Sequence, residues 1–243
     1  MRLTEENRTT LNSFIVRAGF TAIAENFGVD VNQTNTYGET PLHVAAKFGK
    51  FDVARLLLEG GAEVNQTRND RRTPLWIAAH QGQLDVVKLL LEGGAEVNQA
   101  MTDGATPLYI AAQNGQLAVA KLLIERGAEV NKARTDDGAT PLYIATQNGE
   151  LAVAKLLIER KAEVNQAMTD GATPLHIAAR NGQLYVAQLL IERGAKVNQA
   201  EATYGITPLW IAAQEGQLDV AQLLLEGGAD VNQAMNHGAT PLY

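Results

Sequence analysis

Histidine side chains are the first candidates for chemistry near neutral pH, because they can transfer protons and bind metal ions. The chain has four of them, His43, His80, His176 and His237, and they are widely separated. No His-x-x-x-His pair and no glutamate-rich stretch accompanies them, as a helical metal site would require. The chain also has no cysteine, which excludes thiolate nucleophiles, disulfides and cysteine-bound metals. The sequence therefore predicts no metal ion.

Other catalytic groups are equally scarce. Ser13 is the only serine, and the recurring threonines precede prolines, where they are expected to cap helices. Aspartate and glutamate are predicted on solvent-facing segments, whereas general acid–base catalysis needs them in a pocket. Nearly every glycine recurs at a turn position, and no G-x-G-x-x-G or Walker sequence is present to hold phosphates. We therefore predict no catalytic residue, no cofactor and no enzyme activity.

The elements that position these side chains are repeated along the chain. All seven prolines stand in the tripeptide Thr-Pro-Leu and follow one another at intervals of 33 or 34 residues. They are Pro41, Pro74, Pro107, Pro141, Pro174, Pro208 and Pro241. Such recurrence is typical of a repeat array rather than of one or two large domains.

Each interval predicts two short helices and a turn-rich segment. In the third, Thr106 and Pro107 have the types expected at an N-cap and first helical position. Gly115 is expected to end the first helix, and apolar residues at helical spacing predict a second over about 117–126. Gly127 then stands where a left-handed helix end is common.

The repeated motif resembles the ankyrin repeat. It reads G-x-T-P-L-[H/Y/W]-[V/I]-A-A, then N-G-Q-L, then L-L-[L/I]-E-x-G-A-x-V-N, from about Asn32 to the end of the chain. The resemblance implies an all-α solenoid of stacked helix–turn–helix units with β-hairpin fingers. It also implies protein binding through the finger tips and the concave face of the first helices.

The spacing divides the chain into six complete repeats between two unlike ends. Residues 1–37 lack Thr-Pro-Leu and are expected to form a degenerate N-terminal capping repeat, since repeat arrays need atypical ends. Residues 238–243 are expected to begin a truncated seventh repeat. The complete repeats are 38–70, 71–103, 104–137, 138–170, 171–204 and 205–237. The two longer intervals predict one extra residue in the fingers near 134–137 and 201–204.

The predicted C-terminal end has no capping unit. Apolar residues of the sixth repeat, such as Ile211 and Leu218, would then be covered by little, which favours contact with a partner or a second copy. Three explanations stay open: a longer natural protein, an end covered by a partner, or a short chain that tolerates fraying.

Charge and hydropathy exclude two classes of partner. The net charge of −7 and the pI near 5.2 disfavour nucleic acid, which needs a basic face. No run approaches the ~20 apolar residues of a membrane span. The polar N-terminus lacks a secretory signal, so the sequence predicts a cytoplasmic protein without membrane insertion.

Positions that vary between repeats are candidates for partner binding. Aromatic residues and arginine are enriched at interface hot spots, and they concentrate in the first, second and sixth repeats. The candidates are Tyr37, Phe48, Asp70, Arg71, Arg72, His80, Arg180, Tyr204 and Ile206. The alternative for any one of them is that it merely packs against the neighbouring finger.

One finger is locally basic and also departs from the repeat pattern. Arg68, Arg71 and Arg72 could bind a carboxylate or phosphate of a partner; the alternative is a solvated tip paired with Asp70. Arg71 replaces a glycine of the pattern, and Lys161 replaces a helix-ending glycine, so both positions are expected to adapt or be strained.

Two recurring positions are predicted to be structural. The residue after Thr-Pro-Leu is always His, Trp or Tyr, and we expect it to stack in the fold rather than to bind a ligand. The asparagine of each Val-Asn pair is expected to satisfy backbone groups.

Three functions fit this sequence. The first is a non-catalytic scaffold or adaptor that binds a protein partner. The second is a structural subunit that docks through its uncapped C-terminal end. The third is a targeting segment of an enzyme encoded beyond Tyr243.

Overall fold

The computed structural model describes residues 30–238 and residue 240, and within them short and long α-helices alternate. The first helices, of seven residues, are α1 (Pro41–Lys47), α3 (Pro74–His80), α5 (Pro107–Gln113), α7 (Pro141–Gln147), α9 (Pro174–Arg180) and α11 (Pro208–Gln214). The second helices, of nine residues, are α2 (Phe51–Glu59), α4 (Leu84–Glu92), α6 (Leu117–Glu125), α8 (Leu151–Glu159), α10 (Leu184–Glu192) and α12 (Leu218–Glu226). The predicted repetition of helix–turn–helix units is confirmed.

Each first helix begins at the repeated Thr-Pro-Leu. At α3, the hydroxyl of Thr73 accepts a hydrogen bond from the backbone N–H of Trp76 at 3.1 Å, and Pro74 takes the first helical position. Proline suits this position because its missing N–H would have no partner inside the helix. The leucine of the tripeptide is buried in all six described first helices. The tripeptide therefore both starts the helix and anchors it in the core.

The core lies between the first and second helices. Ala78 and Ala79 of α3 are fully buried, and Val86 and Leu90 of α4 complete the apolar layer beneath them. Helix α3 packs against both α4 and the preceding first helix, α1. Burial of this apolar surface is the main favourable term in folding.

The fingers are tight turns that join one helix pair to the next. Each is closed by a backbone hydrogen bond, for example from the N–H of Arg68 to the carbonyl of Arg72 at 2.9 Å. We call the segments 35–39, 68–72, 101–105, 134–139, 168–172 and 201–206 the first to sixth fingers. Within residues 30–238 the fingers are turns, and no residue lies in a β-strand.

The fourth and sixth fingers each contain the predicted extra residue. Their closing bonds join Arg134 to Ala139 and Glu201 to Ile206, one residue wider than in the other fingers. In the fourth finger, Arg134 donates hydrogen bonds to the Asp137 carboxylate. These bonds lower the pKa of Asp137 more than burial of the carboxylate raises it. The insertion is therefore absorbed in the loop and stabilised there by charge-assisted bonds.

Two non-glycine residues have left-handed backbones. Arg71 has φ of 64° and Lys161 has φ of 68°, and both stand where the repeat pattern has glycine. An L-residue pays a steric cost in this region that glycine avoids. Both positions thus keep the backbone conformation of the repeat, at the steric cost of a Cβ atom in the left-handed region.

The Val-Asn asparagines join consecutive repeats. The Asn65 side chain donates to the carbonyl of Gly94 at 3.2 Å, and its amide oxygen accepts from the N–H of Glu96 at 2.9 Å. The same pair of bonds recurs at Asn32, Asn131, Asn165 and Asn198. The prediction that these asparagines satisfy backbone groups is confirmed, and the groups belong to the following repeat.

The chain forms two compact units. Among the described residues, one comprises 30–111 and 118–128, and the other comprises 112–117 and 129–238. The predicted capping repeat as far as residue 29 lies outside the described residues, as do Pro241 and Tyr243 of the predicted seventh repeat. The repeat boundaries and the nature of both ends stay predictions.

Candidate functional site

Three aligned side chains form a column on helix α3 and the finger before it. The guanidinium of Arg72 lies over the Trp76 ring at 4.5 Å from its centroid. Trp76 also stacks on His80, with ring centroids 5.5 Å apart and planes 15° from parallel. We call Arg72, Trp76 and His80 the α3 column. The structure thus brings together two predicted site residues, Arg72 and His80, through a third that we had assigned to the fold.

The indole of Trp76 holds this column in place. Trp76 is buried, and its Nε1–H donates to the carbonyl of Ala105 in the third finger at 3.2 Å. A guanidinium over an indole face gains a cation–π attraction. The orientation of Arg72 is therefore set by a buried, hydrogen-bonded ring. Sequence reasoning missed this role of Trp76, although Trp76 and His80 have the i, i+4 spacing of one helix face and Arg72 lies two residues before that helix.

The second finger carries a small network of charges. Arg68 contacts Glu39 at 2.7 Å and Asp70 at 3.5 Å, and Arg72 lies 3.6 Å from Asp70. Asp70 also accepts the backbone N–H of Arg72, which shapes the turn. The predicted pairing with Asp70 is thus present for Arg68 and Arg72. The shortest contact in the network joins Arg68 to Glu39. Asp70 has a structural part in addition to any binding role.

Arg71 differs from its two neighbouring arginines. Its side chain is exposed at the tip of the finger, and among residues 30–238 it has no hydrogen bond or ion pair. Within the turn, its backbone N–H donates to the carbonyl of Arg68 at 2.9 Å. The Arg71 charge is therefore open to solvent.

Two exposed aromatic residues lie in the first finger and at the end of α1. The second finger is bonded to the first because Asn69 donates its backbone N–H to the carbonyl of Tyr37 at 3.2 Å. The side chain of Tyr37 is 65% exposed. Phe48, at the end of α1, is 57% exposed, with the Lys47 ammonium 5.5 Å from its ring centroid. Neither ring is packed into the core, as a purely structural role would require.

The remaining predicted residues lie in the second unit. Arg180 ends α9 with an exposed side chain, and its carbonyl accepts from Gln217 at 3.2 Å. Tyr204 is 58% exposed in the sixth finger, and its carbonyl accepts from the N–H of Asn236 at 2.8 Å. Ile206 is half-buried, and its carbonyl accepts from the His176 ring at 3.1 Å. Ile206 thus contributes to the fold as well as to the surface.

The two buried histidines are fixed as neutral rings. Nδ1 of His43 accepts from the backbone N–H of Thr40 at 3.1 Å, so Nε2 carries the proton and donates to the carbonyl of Arg72 at 3.2 Å. Burial lowers the pKa of His43 to about 4, and it also lowers the pKa of His176, which has the same contacts. For His80, partial burial and then the Arg72 charge lower the pKa. His43 and His176 therefore serve as hydrogen-bonding parts of the fold.

A different surface lies on the second helices of the first unit. Phe51, Lys88 and Leu89 line a shallow groove of about 310 Å³ between α2 and α4, which Asp85 and Glu92 complete. Phe51 is 39% exposed, and the Arg55 guanidinium lies 5.7 Å from its ring centroid. This groove contains none of the predicted site residues and offers a second place where a partner could dock.

The described residues form neither a metal-binding cluster nor a membrane-spanning helix. Residues 30–238 contain no grouping of three His, Asp or Glu side chains that could hold a metal ion. In the same part of the chain, no helix is both long enough and apolar enough to cross a bilayer.

Comparisons with known proteins identify what the chain resembles. The family model for ankyrin repeats in three copies matches residues 5–101, 61–134, 94–168 and 132–201, and the single ankyrin repeat model matches 204–236. The crystal structure of the human ASB11 ankyrin repeat domain has a TM-score of 0.76 and 30% sequence identity. The match covers 84% of this chain and 90% of that one. A search of curated proteins gave no significant match.

Proposed function

The chain belongs to the ankyrin repeat family, whose repeats are generally protein–protein interaction modules, and from this we propose that it is a non-catalytic scaffold or adaptor. It binds a protein partner through its finger tips and the ends of its first helices. Nucleic acid is not the proposed partner, because the net charge is −7. The cytoplasmic location expected from the sequence stays a prediction, which fractionation of cells expressing a tagged chain would check.

The observation that carries this proposal is a division between repeated and variable positions. The repeated threonines, leucines and alanines are buried, and the repeated asparagines are bonded to the next repeat. The variable positions at finger tips and first-helix ends hold exposed Tyr37, Phe48 and Tyr204. Residues that the fold does not need, and that expose aromatic surface, are those available for recognition.

The first unit is the favoured half for this binding. Tyr37 lies in the first finger, which is hydrogen-bonded to the second, Phe48 follows α1, and the α3 column begins in the second finger. Interface energy concentrates in a few aromatic and arginine anchors, surrounded by residues that exclude water. Two exposed aromatic rings and two arginines within one unit match this composition.

A direct test compares the fingers and first-helix ends with the second helices. The variant Tyr37→Ala, Phe48→Ala, Arg72→Ala is used to capture partners from cell extract, beside a control carrying Phe51→Ala and Tyr185→Ala. The control removes exposed aromatic rings from second helices. Each captured protein is then purified and titrated against both variants. Binding lost only with the first variant supports the proposal, whereas binding lost only with the control moves the site to the second helices.

A second candidate function is docking through the sixth repeat as a structural subunit. Leu218 at the start of α12 is 76% exposed, whereas Leu84 at the equivalent place in α4 is 39% exposed. Leu218→Gln is the matching test, since it removes apolar surface at an already exposed position. Loss of assembly with this variant, and no effect of the first-unit variant, would favour this candidate. Whether the chain also targets a longer enzyme is settled by the full reading frame.

A further inference from the structure

We propose that the second finger and the α3 column recognise carboxylate side chains of an acidic peptide segment. This inference rests on the proposed function, because it names the chemistry of the partner at the same surface. The two groups assigned to the contact are the guanidinium groups of Arg71 and Arg72. The partner segment carries aspartate or glutamate beside an apolar side chain.

The first argument is the fixed orientation of Arg72. Its guanidinium lies over the Trp76 ring, and Trp76 is held by a hydrogen bond to the carbonyl of Ala105 and by stacking against His80. A guanidinium fixed in this way loses little freedom on binding, because its planar fork is already oriented. Arginine in a defined orientation recognises the two oxygens of a carboxylate with parallel hydrogen bonds.

The second argument is the unused hydrogen-bonding capacity of Arg72. Its buried Nε lies 3.6 Å from the nearest Asp70 carboxylate oxygen, too far for a hydrogen bond, while 35% of the Arg72 side chain is exposed. The Nε of Arg68 is likewise buried and unpartnered, but the terminal Nη1 of Arg68 donates to Glu39 at 2.7 Å. No described carboxylate lies at that distance from Arg72, so the exposed part of its guanidinium is the part assigned to a carboxylate from outside.

The third argument is the retained strain at Arg71. The equivalent finger position is glycine at Gly38, Gly104, Gly138, Gly171 and Gly205. Arginine at this position adopts φ of 64°, and its side chain makes no hydrogen bond or ion pair with described residues that would offset the cost. Residues held in a sparsely populated backbone region are a reason to look for function at that position. A charge presented to a partner is the use that this geometry allows.

The fourth argument is the neighbourhood of the two arginines. Tyr37 lies in the finger that is bonded to the second finger, and its ring is exposed. Asp103, Asp137 and Asp170 occupy the later fingers, so the uncompensated positive charge of the finger tips is concentrated here. An acidic segment is attracted to this tip and repelled by the rest of a chain whose net charge is −7. The aromatic ring supplies apolar contact beside the charges.

The probe is a set of three labelled peptides that differ only in the side chains at the glutamate positions. The first is Glu-Glu-Phe-Glu-Glu, acetylated and amidated so that only its side chains are charged. The second replaces each Glu by Gln, and the third replaces one Glu by phosphoserine. Fluorescence anisotropy with the full chain measures each affinity at low and high sodium chloride. We expect the acidic peptide to bind at least about tenfold more tightly than the Gln peptide, and more weakly at high salt.

Three single variants locate the contact. Arg71→Gln and Arg72→Gln should each weaken binding of the acidic peptide by about tenfold, the loss expected for a charge-assisted contact. Arg55→Gln is the matched control, because Arg55 is also an exposed arginine of the first unit beside an aromatic ring, but it lies on α2. It should leave the affinity within about twofold, since exposed rim charges contribute little.

The failures are distinguishable. Equal binding of the acidic and Gln peptides, or equal losses from Arg55→Gln and Arg72→Gln, would overturn the carboxylate assignment. Binding of the phosphoserine peptide alone would also overturn it in favour of a phosphorylated partner. If the peptides fail while Phe48→Ala still abolishes capture of an identified partner, this inference falls and the proposed function stands.

Discussion

Trp76 donates its indole N–H to the backbone carbonyl of Ala105 at 3.2 Å, 29 residues further along the chain. His43, at the equivalent position of the preceding helix, donates from Nε2 to the carbonyl of Arg72 at the same separation. Two chemically different rings therefore make the same link from a first helix to the next finger. Tryptophan adds a large flat face to that link, and Arg72 lies on it.

Removal of the indole N–H should test this link. Trp76→Phe keeps a buried ring but leaves the carbonyl of Ala105 without its donor, so we expect the free energy of unfolding to fall by about 1–3 kcal/mol. Urea unfolding followed by circular dichroism measures it. An unchanged midpoint and slope would show that the bond contributes nothing.

Relief of backbone strain should stabilise the protein. Lys161→Gly and Arg71→Gly restore the residue that tolerates the observed φ of 68° and 64°, and each should raise the free energy of unfolding by about 1 kcal/mol. Thermal and urea unfolding measure the change. Arg71→Gly should also weaken binding of the acidic peptide, whereas Lys161→Gly should not. A destabilised Lys161→Gly would mean that the side chain contributes more than the backbone costs.

Two glycines separate backbone strain from steric clash. Gly127 and Gly171 have nearly equal φ of 90° and 87°, but a Cβ at Gly127 meets no atom within 4 Å, whereas at Gly171 it would lie 2.4 Å from the Ala202 nitrogen. Gly127→Ala should therefore cost about 1 kcal/mol from the backbone alone. Gly171→Ala should cost clearly more, since the sixth finger must shift. Equal losses in urea unfolding would contradict the close approach.

Stability should fall as the pH is lowered through the range in which histidine titrates. The folded pKa of His43 is about 4, below its ordinary 6.5, so the unfolded chain binds the proton first. The contribution of His43 is complete above pH 6.5, and about 3 kcal/mol is lost as the pH falls toward 4. His176 acts in the same direction.

The control for this titration removes both rings. A His43→Gln, His176→Gln variant should be less stable at pH 7 but should show a shallower decline between pH 6.5 and 5. Urea unfolding at a series of pH values gives both slopes. Identical slopes would show that other groups, such as partly buried His80, govern the dependence.

The sequence predicted the backbone of this fold well, because its signals are local. A threonine before a proline caps a helix wherever the helix lies, and the extra residues near 134–137 and 201–204 had to enter a loop. Hydrogen bonds between repeats were harder to foresee. The bond from Asn65 to Gly94 depends on how repeats stack, and only its recurrence showed that the asparagine is structural.

The candidate site was predicted only in part. The sequence singled out Arg72 in a finger and His80 near the end of a first helix, but the role of Trp76 between them needed the ring orientations. Phe48 and Ile206 have similar apolar character in the sequence, yet one is exposed and the other is half-buried with its carbonyl bonded to His176. Exposure at a variable position is set by the neighbouring repeat, which a single repeat's sequence does not contain.

The most direct test of the proposed binding surface compares Phe48 with Phe51. These rings are three residues apart in the first unit, but Phe48 ends α1 and Phe51 begins α2 beside the groove with Leu89. Isothermal titration of an identified partner gives the dissociation constant for the wild type, Phe48→Ala and Phe51→Ala. We expect Phe48→Ala to weaken binding about tenfold or more, as at an interface hot spot, and Phe51→Ala to leave it nearly unchanged. The reverse order, with both variants folded, would contradict the proposed surface and place the partner on the second helices.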